Sequence, residues 1–148
     1  MFSIGEMSRR TGVKVATIRY YEETGLLAAP ARTSGNQRRY GQGELDKLGF
    51  IRHARDLGFS LEAIGALIDL QDHPDRSCLE ANQIATGQLS EVRARIRRLQ
   101  ALETELARIA EGCDGDGTAD CCYVLRSLAD HDQCVTEHGA GGERLEKM

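Results

Sequence analysis

Seven apolar residues, Leu89, Val92, Ile96, Leu99, Leu102, Leu106 and Ile109, recur at steps of three and four and therefore share one face of a helix. The helix is predicted to begin near Ser77 and reach about Glu111, where Gly112 stops it. Arg93, Arg95, Arg97, Arg98, Glu103 and Glu105 fall mostly on its other faces. A chain of 148 residues cannot bury so long a stripe with that helix alone. The spacing predicts a coiled-coil seam against a partner helix; the alternative is packing across its own domain.

The same length allows one small domain plus such an extension. No apolar run approaches membrane-spanning length, and Met1-Phe2-Ser3-Ile4-Gly5-Glu6 lacks the apolar stretch of a signal peptide, so a cytoplasmic protein without membrane contact is expected. Charge is uneven. Residues 1–60 hold ten Lys/Arg against six Asp/Glu, and residues 61–148 hold nine against seventeen. A basic front half suits an anionic partner and an acidic back half a cationic one.

The front half has helix-turn-helix spacing. Ser3-Ile4-Gly5-Glu6 is a capping box opening a short helix that should stop at Gly12. A second helix runs from about Lys14 to Glu23, exposing Thr17, Arg19 and Tyr20, with no Ser, Thr or Asp to cap it. Pro30 through Tyr40 reads as a hairpin turning at Gly35-Asn36, its three arginines suited to phosphate contact. Helices over about Glu44 to Leu57 and from Ser60 to before Asp72 complete this part.

All five cysteines, Cys78, Cys113, Cys121, Cys122 and Cys134, lie in the second half. Thiols clustered in a reducing compartment point to metal or redox chemistry, and an odd count argues against a fully paired disulfide frame. Calcium is excluded in the loop after Gly112, because Ala119 and Leu125 stand where an EF-hand needs its Gly and closing Glu. No nucleophile–base pair, phosphate loop or zinc-protease motif suggests an enzyme.

Ile4-Gly5-Glu6, Thr17-Ile18-Arg19-Tyr20-Tyr21-Glu22, Gly25-Leu26-Leu27, Arg32 through Tyr40, Phe50-Ile51-Arg52 and Leu57-Gly58-Phe59-Ser60-Leu61 together resemble the MerR family of transcription regulators. The resemblance runs over roughly residues 3–128. It implies a mainly α fold: a winged helix-turn-helix DNA-binding domain (1–75), a long antiparallel coiled-coil dimerisation helix (76–112), a metal-binding loop with a short helix (113–130) and a tail (131–148). It assigns DNA contacts to Thr17, Arg19, Tyr20, Arg38, Arg39, Tyr40 and Arg55. Lys14 stands where the family usually has Ser or Thr and places an extra cation near DNA.

Thirty-five residues separate Cys78 from Cys113, or ~50 Å of helix at ~1.5 Å per residue. An antiparallel dimer instead brings Cys78 of the partner subunit to the Cys113–Cys121 loop, giving two equivalent sites. That loop resembles the one in the family's copper sensors, which carry Ser in place of Cys78. The family's zinc, cadmium, lead and mercury sensors share the Cys. Three thiolates with a divalent ion leave the same net site charge, -1, as two with a monovalent one. The expected effector is thus Zn2+, Cd2+ or Pb2+, with mercury a weaker candidate. The three expected thiolates are Cys78 of the partner subunit, Cys113 and Cys121. Whether Cys122 replaces Cys121, binds a second ion or packs against the apolar turn stays open, as do His131 and Cys134 as added ligands.

By resemblance, a homodimer on double-stranded promoter DNA would activate efflux or resistance genes by letting RNA polymerase engage a remodelled promoter. The alternatives are a copper(I)-type sensor, a thiol redox switch on the same fold, and a metal-buffering protein.

Overall fold

The computed structural model describes residues 1–130 and 132. The chain is mainly helical and divides into two compact units, Met1–Gln88 and Leu89–Met148. The first contains α1 (Ile4–Thr11), α2 (Val15–Glu23), the strands β1 (Ala31–Arg32) and β2 (Arg38–Arg39), α3 (Gln42–Asp56), α4 (Leu61–Gln71) and the start of α5 (Leu79–Glu111).

Local chemistry sets these boundaries. The Ser3 hydroxyl accepts from the Glu6 N–H at 3.1 Å and starts α1; Ser60 accepts from the Ala63 N–H at 3.1 Å and starts α4. Gly12 ends α1 in the left-handed region at φ 76°. Gly58, at φ 88°, closes α3 by donating to the Arg55 carbonyl, and the Phe59 N–H reaches back to Ala54. Lys14 occupies the cap position of α2 and makes no side-chain capping bond.

The hairpin is antiparallel, with Ala31 opposite Arg39 and Arg32 opposite Arg38. It turns through Thr33–Asn36, where the Asn36 N–H donates to the Thr33 carbonyl and Asn36 takes the left-handed conformation at φ 64°. Phe2 and Tyr40 exchange both backbone hydrogen bonds, at 2.7 and 2.8 Å, so the N-terminus joins the base of the hairpin.

Met7, Ile18, Leu27, Leu48, Ile51 and Ile64, all fully buried, meet in one core beneath α1–α4. Each such side chain contributes ~1.5–3 kcal/mol of transfer free energy. The first unit therefore closes a hydrophobic core from its own residues.

In the second unit α5 runs on to Glu111, a single 3-10 turn covers Ala119–Cys121, and α6 spans Tyr123–Ala129. Its apolar row faces outward: Leu89, Val92, Ile96, Leu99 and Leu106 are exposed, while Ile109 is buried. Glu105, placed by its spacing mostly away from the apolar row, is buried at 4% exposure. Among the described residues no helix is long and apolar enough to cross a membrane.

Candidate nucleic-acid face and thiol site

Helix α2 displays Lys14, Arg19 and Tyr20 to solvent, with Thr17 half-buried beside them. The fully buried Ile18 and nearly buried Tyr21 fix which face of α2 remains outward. The hairpin adds half-buried Arg38 and Arg39. Arg55 is exposed and anchored, its Nη1 donating to the Phe59 carbonyl at 2.8 Å.

Tyr40 requires a correction. It is fully buried, and its phenol donates to Glu22 on α2, so it has no surface to offer DNA. Burial first, and then the Glu22 carboxylate, raise its pKa far above the ordinary phenol value. Glu22 also pairs with Arg38 Nε at 3.2 Å. Glu22, unassigned from the sequence, therefore ties the hairpin to α2. Arg52 is a second such residue: its Nη1 donates at 2.8 Å to the Thr11 carbonyl at the end of α1.

The cysteines fall into two places. Cys78 is exposed immediately before α5, and its carbonyl accepts the Asn82 N–H at 3.0 Å. Cys113, Cys121 and Cys122 all line one open hollow of about 440 Å³ under the 112–123 loop. Within it the contacting pair is Cys113 and Cys122, with sulfurs 3.9 Å apart, while Cys121 is exposed. The 3-10 turn separates the fates of the two adjacent cysteines.

The Cys122 thiol is held below its ordinary range, chiefly by the Leu125 backbone N–H. The Val124 N–H, the Cys113 thiol and the Arg126 charge act in the same direction, and burial opposes them. Asp114 accepts from the Asp116 N–H at 2.9 Å and shapes the turn. Among the described residues, no three His, Cys, Asp or Glu side chains of one chain are grouped to hold a metal ion. His131 and Cys134 lie outside the described residues.

Two family profiles match the chain. One, described as MerR HTH family regulatory protein, covers residues 2–71, and the other, described as MerR, DNA binding, covers residues 45–109. The HTH-type transcriptional regulator ZntR of Escherichia coli K12 is 38% identical over 144 residues, 96% of either chain. This chain belongs to the MerR family.

Among solved structures, the regulator PbrR691 of Ralstonia metallidurans CH34, in complex with lead(II), matches at TM-score 0.76 and 38% identity. The match covers 86% of this chain and 99% of that one. MerR of Bacillus megaterium MB1, in complex with mercury(II), matches at TM-score 0.66 and 27% identity, covering 87% and 100%. The helix-turn-helix unit and long helix of this MerR protein are those of its relatives.

Proposed function

We propose that this MerR protein is a metal-responsive transcription regulator that binds promoter DNA as a homodimer and senses a divalent ion through thiolates. The observation carrying the metal assignment is the 3.9 Å separation of the Cys113 and Cys122 sulfurs. Sulfurs bound at ~2.3 Å around a tetrahedral or trigonal ion lie ~3.8–4.0 Å apart, whereas a linear two-sulfur site needs twice the bond length, ~4.6 Å. The pair fits a site awaiting a further ligand better than a linear monovalent one, which favours zinc, cadmium or lead over copper(I). The lead complex of the 38%-identical PbrR691 supports the same class.

Cys113 and Cys122 would hold the ion from one subunit and Cys78 of the partner subunit from the other, because a 33-residue helix separates them in one chain. A bound divalent ion supplies a cross-link among these thiolates. Backbone N–H groups favour the thiolate form of Cys122, the form that ligates a metal ion. Lys14, Thr17, Arg19, Tyr20, Arg38, Arg39 and Arg55 would carry the DNA contacts. The exposed row of α5 would carry the dimer, and the output would be activation of efflux or resistance genes with RNA polymerase at the promoter.

Mixed dimers test the site. A Cys78→Ser subunit paired with a Cys113→Ser subunit should keep one intact end and bind half the tightly held Cd2+ of the unmutated dimer, while either homodimer loses tight binding. A mixed dimer with no tight site would place all ligands in one chain and overturn the cross-subunit arrangement. Arg19→Ala should weaken promoter binding by ~1–3 kcal/mol and leave Cd2+ binding intact; unchanged promoter affinity would remove Arg19 from the contact set.

A further inference from the structure

The thiol pair is bracketed by a second contact one residue farther out on each side. Gly112 precedes Cys113 and Tyr123 follows Cys122. The Tyr123 ring lies so close over Gly112 that a methyl group there would overlap it. Arg108, one turn earlier on α5, donates from Nη1 to the Tyr123 phenol oxygen at 2.7 Å, with its guanidinium carbon 6.0 Å from the ring centroid. Its Nε pairs with the buried Glu105 carboxylate at 3.1 Å. One chain of contacts thus runs from α5 through Arg108 to the first residue of α6.

We infer that Arg108, with Tyr123 and Gly112, is a positioning device for the metal site: it sets the spacing of Cys113 and Cys122 before any ion arrives. This rests on the thiolate reading above. The segment from Cys113 to Cys122 is otherwise held by short turns, and bringing its ends together costs chain entropy. The contact between Tyr123 and Gly112 meets that cost in advance, which preorganises a two-sulfur chelate.

Desolvating a carboxylate and a guanidinium is expensive, and an apolar contact would hold α6 to α5 as well. Arg108 Nη2 and Ser127 Oγ are also buried without a hydrogen-bond partner among the described residues. A costly polar arrangement at the base of the thiol loop is explained by the geometry it enforces, not by stability.

Tyr123→Phe keeps the ring and removes the phenol oxygen, Arg108→Lys keeps the charge facing Glu105, and Gly112→Ala displaces the ring. Each is made in the full chain and tested in two ways. The first needs no metal: with Cys78, Cys121 and Cys134 replaced by Ser, a short fluorogenic bis-alkylating reagent bridges Cys113 and Cys122. The second is Cd2+ affinity by chelator competition, read from the thiolate-to-metal absorption band with all cysteines present.

The expected result is a fall in bridging yield in all three variants, largest for Gly112→Ala, and Cd2+ binding weakened roughly 10–100-fold. Helicity, dimer mass and promoter affinity should stay unchanged. Bridging and Cd2+ affinity equal to the unmutated chain's in Tyr123→Phe and Gly112→Ala would overturn the inference. Reduced bridging in a chain that takes up no Cd2+ even unmutated would sustain the positioning device and reject the metal reading.

Discussion

The two units of this protein solve the burial problem differently. In Met1–Gln88, Met7, Ile18, Leu48, Ile51 and Ile64 are fully buried by their own chain. In Leu89–Met148, Ile96 is 48% exposed and Leu106 61% exposed, on a helix with no neighbour along most of that face among the described residues. The first unit has what it needs to fold alone. An apolar row of that length on a lone helix marks an interaction surface. In the function proposed above, DNA contact falls to the closed unit and the response to a second signal to the helix whose apolar row is exposed.

The largest effect should come from attacking the exposed row. Ile96→Asp with Leu99→Asp puts unpaired charges into the seam, and sedimentation should show monomers or aggregates in place of a dimer. A double variant that still sediments as an intact dimer would erase the contrast between the units.

A smaller effect sharpens it. Ile51→Ala should cost ~2–5 kcal/mol in denaturant unfolding of the first unit, as expected for a closed core. That loss should be independent of protein concentration. The apparent cost of Leu99→Ala should grow on dilution, because stability carried by association follows mass action. Equal concentration dependence for both would show that the units are not distinct in this way.

The smallest predicted change lies inside the first unit. Lys14→Ser would supply the side-chain cap that α2 lacks and should add ~1 kcal/mol of stability. The same change removes an exposed cation, so promoter binding should weaken and depend less steeply on salt. Stability and affinity moving in opposite directions would show that Lys14 serves binding at the expense of the helix.

What could be read from the sequence was what local chemistry determines. Ser3, Gly12, Gly58 and Ser60 mark helix ends through hydrogen bonds within a few residues, while the hairpin turns one residue earlier than the Gly35-Asn36 expected, through Ser34-Gly35, with Asn36 left-handed after it. The apolar period of α5 likewise announced its face. Long-range placement was not legible. Tyr40 looked like a hairpin surface residue because nothing near it in the chain shows that Glu22, eighteen positions earlier, accepts its phenol hydrogen.

Cys121 and Cys122 are equivalent as text. The turn at Ala119–Cys121 separates them, so Cys122 is the one that contacts Cys113. Glu105 misled in the same manner, since only the return of Tyr123 to Arg108 reveals that this stretch of α5 is covered. Charge, alternation and caps carry no record of such returns.

The backbone pairing of Phe2 with Tyr40 has a practical consequence. The Phe2 amide donates to the Tyr40 carbonyl and the Phe2 carbonyl accepts from the Tyr40 amide. The pairing is antiparallel, so Ser3 lies alongside Arg39 and Met1 alongside Gly41, and a segment added at the amino end would run on past the start of α3, away from Arg38 and Arg39. A purification handle placed there should leave promoter affinity unchanged as long as the ladder between Phe2 and Tyr40 stays intact.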